Sequence, residues 1–130
     1  VIKLIKHESP VINGDGTYSR DFTYIDNVLQ MNKLAMLTDN VLALNQVFNT
    51  ACGERTTLTE LVDYLKKYLS LFDPDIEKVK ILYGPNRKGD IPHSLASVDK
   101  AKKLLGYKPT IGIENGITEA VKWYWLNLNK

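Results

Sequence analysis

Cysteine, histidine, surplus charge and long apolar runs are all scarce in this sequence, and each scarcity removes a class of function. The single cysteine, Cys52, cannot form an internal disulfide. It stands in NTACGER with no histidine at catalytic or metal spacing, so an inert, partly buried thiol is expected. His7 and His93 lie far apart in the chain, which leaves no metal-ligating set. Seventeen Lys and Arg against fifteen Asp and Glu give a net charge of +2, too little for the broad basic face of a nucleic-acid binder. No apolar run approaches a membrane span and no signal-peptide pattern is present, so no membrane partner is expected and a reducing cytoplasm fits.

What is present reads as one domain, since 130 residues suffice to bury a core. VIKLIKHESP has helical spacing of its apolar residues but no cap, and is read as a helix entered part-way and stopped by Pro10. PVING predicts a short strand, Gly14 and Gly16 a turn, and RDFTYI a second strand in which Phe22 and Tyr24 alternate with polar residues. Asp26 is placed to cap a helix over NVLQMNKLAML with a broad apolar face, its methionines serving as core filler. QVFNTA has the pattern of a buried strand. In TTLTELVDYLKKYLSLF, Thr57 and Glu60 stand three apart as a capping box, and Lys66 and Lys67 form its solvated side. KVKILYGP predicts a strand, DKAKKLLG a helix stopped by Gly106, and IENGITEAVKWYWLNL a final helix.

Two stretches are poorly explained by folding alone. NGDGTYSRDFTYIDNV sets Arg20 directly behind a glycine turn, which points to a ligand. GPNRKGDIPHS is a loop stiffened by Pro85, Gly89 and Pro92 that carries Arg87, Asp90, His93 and Ser94. Arginine offers a planar fork to phosphate and aspartate accepts from hydroxyls, which suits a phosphorylated sugar or a nucleotide. The competing reading pairs Arg87 with Asp90 across a surface turn. Asp21, Asp26 and Asp99 are read as helix caps or local turn bonds.

GDGTYSRDFTYIDNV, NTACGERTTLTEL, RKGDIPHSLASVDKAKKLLGYKP and ENGITEAVKWY occur together and in this order. Together they closely resemble the C-terminal part of nucleotide-sugar epimerases of the extended short-chain dehydrogenase family, nearest to the UDP-N-acetylglucosamine 4-epimerases of bacterial polysaccharide synthesis. The resemblance covers essentially the whole chain. It implies an α/β fold, here an α+β-like piece of several helices with short strands, with the Rossmann half largely missing. Residues 1–130 would then be the C-terminal nucleotide-sugar-binding domain of a longer epimerase. NAD would be held by the parent enzyme and not by this chain, which has no G-x-x-G-x-x-G and no tyrosine followed four residues on by lysine. The implied partner is a UDP-sugar, and the parent would be a homodimer joined through the missing half.

Residue by residue, the resemblance implies that Arg20 and Arg87 hold the diphosphate and that Asp90 accepts from the ribose hydroxyls. It further implies that Phe22 packs beside the ribose and that Val11 and Asn13 lie on the strand that meets the uracil edge. Ser94 matches a wall of the sugar pocket that is bulky in epimerases limited to plain hexoses, and a small residue there leaves room for an N-acetyl group. The implied reaction is C4 inversion of UDP-N-acetylglucosamine and UDP-N-acetylgalactosamine, or their uronic acids. A 4,6-dehydratase or decarboxylase of the same family and a non-catalytic nucleotide-sugar binding module remain open as alternatives. No catalytic residue is expected in this chain.

Overall fold

The computed structural model describes residues 1–129. In chain order the elements are α1 (Ile2–Ile5), β1 (Val11–Asn13), β2 (Ser19–Arg20), α2 (Ile25–Leu37), β3 (Thr56–Thr57), α3 (Leu58–Leu69), β4 (Leu82–Gly84), α4 (Asp99–Leu105) and α5 (Ile113–Leu128), with 3-10 turns at Val41–Ala43 and Pro74–Lys78. This is the α/β arrangement of helices with short strands that the sequence implies.

The helix over TTLTEL forms as its capping box dictates. Thr57 Oγ1 accepts from Glu60 N–H at 3.2 Å, and the Glu60 carboxylate accepts from Thr57 N–H at 2.7 Å, so two otherwise orphaned donors are satisfied. Leu69 at its far end is fully buried with Leu4 and Ile5 of α1, Ile76 in the second 3-10 turn and Val79 directly after it, and Ile117 and Val121 of α5. Glu114 fastens α5 to α3 from outside, accepting from Lys67 Nζ at 2.7 Å and from the Tyr68 hydroxyl at 2.5 Å. These donors, Lys67 first, hold the Glu114 carboxyl below its usual range. The expected solvated side of α3 thus spends Lys67 on a tether.

A second core lies under α2 and α4, built from Met31, Ala43, Ala51, Val98, Ala101, Leu105 and Tyr107. Tyr107 is buried, and its hydroxyl donates to Ala51 O at 2.9 Å. Asn27, also fully buried, clamps α2 to the segment that leads into α5. Its Nδ2 donates to Ile111 O at 2.7 Å, and its Oδ1 accepts from Thr110 N–H at 2.9 Å and Ile111 N–H at 3.2 Å.

Several sequence expectations need correction. The first helix stops before Pro10: His7 adopts a left-handed φ of 56°, and Glu8 N–H closes on Lys3 O at 2.8 Å while His7 N–H closes on Leu4 O at 3.0 Å. This double closure ends the helix without a glycine. The strand expected over RDFTYI pairs only at Ser19 and Arg20, opposite Thr57 and Thr56. Beyond them the Asp21 carboxylate, rather than main chain, accepts the Cys52 and Gly53 N–H groups, each at 2.9 Å, so the ladder ends. Asp21 therefore bonds across the fold, not locally.

Helix α2 begins at Ile25 with no side-chain cap, and Asp26 sits in its first turn. Only a narrow stripe packs inward, Asn27 and Met31 buried with Leu34 partly so, whereas Leu29, Met36 and Leu37 stay exposed. Met31 is core and Met36 is not. QVFNTA forms no strand, because no neighbouring strand lies beside it among the described residues; Phe48 and Ala51 pack on the second core while Val47 is 85% exposed.

Candidate functional site

The glycine turn and the 85–94 loop are brought side by side by two short pairings. The strand β1 runs parallel to β4 with Val11 opposite Leu82 and Asn13 opposite Gly84, and Gly14 N–H continues the pairing to Gly84 O at 3.0 Å. Further along, Ser19 forms a parallel bridge with His93: Ser19 N–H donates to Pro92 O at 2.9 Å and Ser94 N–H donates to Ser19 O at 3.1 Å. The loop carrying Arg87, Asp90 and Ser94 is therefore attached at its start to β1 and at its end to β2.

The turn needs its glycines. Gly14 and Gly16 have φ of 81° and 86°. A Cβ would also run into the Asn86 side-chain oxygen at Gly14 and the Thr59 hydroxyl at Gly16. Between them Asp15 Oδ1 accepts from the Thr17 hydroxyl at 2.6 Å and from Thr17 N–H at 3.0 Å, bonds that hold its carboxyl below the ordinary carboxylate value.

Arg20 is half-buried on β2, and one guanidinium nitrogen donates to Ser19 O at 2.8 Å and to Pro92 O at 3.3 Å. Carbonyls orient this group without neutralising it. Arg87 is exposed, and Gly89 at φ 88° lets the chain turn so that Asp90 N–H reaches Arg87 O at 3.2 Å. The side chains of Arg87 and Asp90 form no ion pair, nor does Arg20; the ion pairs among the described residues all lie elsewhere. The surface-pair reading of Arg87 and Asp90 is thus not what the structure contains, and two uncompensated guanidinium groups border one loop.

Val11 and Asn13 are exposed on one face of β1, above Gly84, where a Cβ would meet Val11 Cγ1 at 3.2 Å and Asn13 Oδ1 at 3.9 Å; Ile12 points into the protein. Ser94 is exposed at the end of the loop. Phe22 is placed differently, lining a cavity of about 210 Å³ with Tyr24 and with Leu61, Ile113, Gly116 and Ile117 of α3 and α5.

Sequence reasoning missed several contributors. An open cleft of about 450 Å³ lies between the glycine turn and the end of β4, lined by Asp15, Tyr18, Tyr83, Pro85 and Asn86. Tyr18 and Asn86 are each within two residues of an arginine named above, which is the signal that could have found them. The type and spacing of His93 do not announce its contact, for its Nδ1 lies 2.9 Å from the buried Ser19 Oγ. Cys52 is half-buried as expected, and burial first, then the Asp21 charge, pushes its thiol up. Its thiolate fraction is therefore lowered, which fits an unreactive group. No described helix is long and apolar enough to cross a membrane.

Comparison with known proteins bears directly on the class to which this fold and its arginine-bordered loop belong. The family model for GDP-mannose 4,6 dehydratase matches residues 1–120. The chain belongs to this family. It is similar to a putative UDP-glucose 4-epimerase of Methanocaldococcus jannaschii, 31% identical over 93% of this chain and 36% of that protein. It is similar also to a UDP-glucuronate 4-epimerase of Thermodesulfobacterium geofontis, 33% identical over 94% of this chain and 35% of that protein. The chain thus spans about a third of the length of these relatives.

Among solved structures, the UDP-glucose 4-epimerase of Thermotoga maritima with UDP-glucose is 34% identical, with a TM-score of 0.83 over 98% of this chain and 38% of that one. The UDP-N-acetylglucosamine 4-epimerase of Methanobrevibacter ruminantium in complex with UDP-N-acetylmuramic acid is 34% identical, with a TM-score of 0.78 over 95% of this chain and 38% of that one. A UDP-glucuronic acid 4-epimerase of Bacillus cereus, solved with UDP-glucuronic acid and NAD, shares the fold at 24% identity and a TM-score of 0.80, covering 94% of this chain and 38% of that one.

Proposed function

We propose that this chain is the C-terminal nucleotide-sugar-binding part of a longer NAD-dependent 4-epimerase, and that the complete enzyme interconverts UDP-N-acetylglucosamine and UDP-N-acetylgalactosamine, or their uronic acids, for surface polysaccharide. The observation that carries the reading is the placement of Arg20 and Arg87, neither of them ion-paired, on two segments joined at Ser19 and His93. Two guanidinium groups offer charge-assisted hydrogen bonds to a diphosphate. Asp90 accepts from ribose hydroxyls, Val11 and Asn13 present the exposed face of β1 to uracil, and Ser94 borders the sugar.

The residues of this chain do not fit NAD. They include no glycine-rich dinucleotide fingerprint and no tyrosine and lysine four apart, so the cofactor and proton transfer belong to the preceding part of the parent, through which a homodimer would also form. The contribution of this chain is to bind and orient the substrate, in a cytoplasmic enzyme. Relatives acting on UDP-glucose, UDP-glucuronate and UDP-N-acetylglucosamine support a 4-epimerase. The description of the family as a 4,6 dehydratase favours one competing reading.

Incubating the full-length enzyme with UDP-N-acetylglucosamine separates the two. Appearance of the galacto epimer at unchanged mass is expected, whereas a product lighter by one water would establish a dehydratase. The size of the pocket is tested by Ser94→Tyr in the same enzyme. Overpacking of this kind costs about 1 to 3 kcal/mol, or roughly a tenfold or greater loss of kcat/KM with the acetamido substrate. UDP-glucose turnover should be spared. Equal losses on both substrates would remove Ser94 from the acetamido pocket.

A further inference from the structure

The 85–94 loop is fastened to β2 by backbone bonds at Ser19 and by one side chain. Ser19 is 4% exposed, and its hydroxyl lies 2.9 Å from Nδ1 of His93, the hydrogen-bond partner of that buried oxygen. His93 itself is exposed and belongs to neither core, so its imidazole adds little to packing. What it does meet is the point on which Arg20 depends. The two carbonyls that orient the Arg20 guanidinium, Ser19 O and Pro92 O, are the same two that make the bridge, since Ser19 O also accepts from Ser94 N–H and Pro92 O from Ser19 N–H. Parting the loop from β2 would take Pro92 O away from Arg20 and leave it only Ser19 O, on its own strand. It would also shift Arg87 and Asp90 relative to that arginine, since they lie on the loop that moves.

We infer that His93 is a positioning residue for nucleotide-sugar binding, its Nδ1 latching the loop to the Ser19 hydroxyl so that Arg20 and Arg87 are set at a fixed separation before the ligand arrives. The inference rests on the reading of Arg20, Arg87 and Asp90 as the nucleotide site. A preorganised pair binds more tightly because less ordering remains to be done on binding. The latch also explains why a buried serine stands directly before Arg20, where a small apolar residue would fill the same space without needing a partner.

The test is a titration of UDP into the chain and its variants at His93, with hydrogen exchange of the Ser94 amide measured alongside. His93→Ala should weaken UDP binding about tenfold, in keeping with lost preorganisation, and should speed Ser94 exchange. His93→Asn, whose amide can occupy the place of Nδ1, should restore affinity to within about twofold. His93→Gln, whose amide reaches the place of Nε2, should not. Arg20→Ala is the reference variant and should weaken binding at least as much as His93→Ala. Unchanged affinity in His93→Ala beside a loss in Arg20→Ala would overturn the latch and leave the site standing. Equal rescue by asparagine and glutamine would also overturn it, because the bond to Ser19 would then not be the cause. No saturable binding of UDP by the parent chain, or none lost in Arg20→Ala, would overturn the site and the role of His93 with it.

Discussion

Replacing Asn27 with alanine should cost about 3 kcal/mol or more of folding stability. The side chain is fully buried and uses both ends, donating to Ile111 O and accepting from Thr110 and Ile111 N–H. Alanine strands those main-chain groups where water does not reach, and each unsatisfied buried group costs about 1 to 3 kcal/mol. Asn27 also links α2 to the segment that enters α5, so the damage falls on the joint between the two cores. Urea unfolding of Asn27→Ala should show a lower midpoint at an unchanged slope. A loss below about 1 kcal/mol would mean that water or a shifted main chain satisfies these groups, and the clamp would not be what joins the cores.

The second large effect is on binding. The double variant Arg20→Ala, Arg87→Ala should lose roughly a hundredfold or more in affinity for UDP, since hydrogen bonds to charged groups contribute about 1.5 to 3 kcal/mol each. The loss should fall on the diphosphate: uridine, which lacks it, should bind the parent chain and the double variant alike. Folding should be little changed, because Arg87 is exposed and Arg20 bonds only to carbonyls at the surface edge of β2. Raising the salt concentration should weaken UDP binding in the parent chain and do so less in the variant. A double variant that holds UDP as tightly as the parent chain would remove both arginines from the site.

How far the fold could be read from the sequence follows from where each signal lay. Helix α3 was legible because Thr57 and Glu60 write both halves of a reciprocal cap into four residues. Helix α4 was legible from Gly106, which ends it at a left-handed φ of 66°. The extent of the strand after Arg20 was not legible, because the partner of Asp21 is the turn at Cys52 and Gly53, thirty-one or more residues away. The apolar residues of QVFNTA gave the pattern of a strand, but an edge to pair with is a property of the assembled fold. The exposed side of α2 misled in the same way, since periodicity marks apolar residues and does not say that this chain covers them.

At the site the arginines were legible by type and by their neighbours, glycine turn and stiffened loop. The attachment of one to the other was not. The bond between Ser19 and His93 spans 74 residues, and nothing in either local stretch announces it. The packing of Phe22 against α3 and α5 depended likewise on residues far along the chain, Leu61 and Ile117 among them.

The central claim is that the segments carrying Arg20 and Arg87 form one nucleotide-sugar site, and an isotope-labelled chain titrated with UDP tests it most directly. Amide resonances of residues 11–14, 19–20 and 87–94 should shift together along one saturable curve, while those of α4 and the outer face of α5 stay in place. Shifts confined to one of the two segments, shifts centred on another part of the surface, or no saturation by about millimolar UDP would contradict the account.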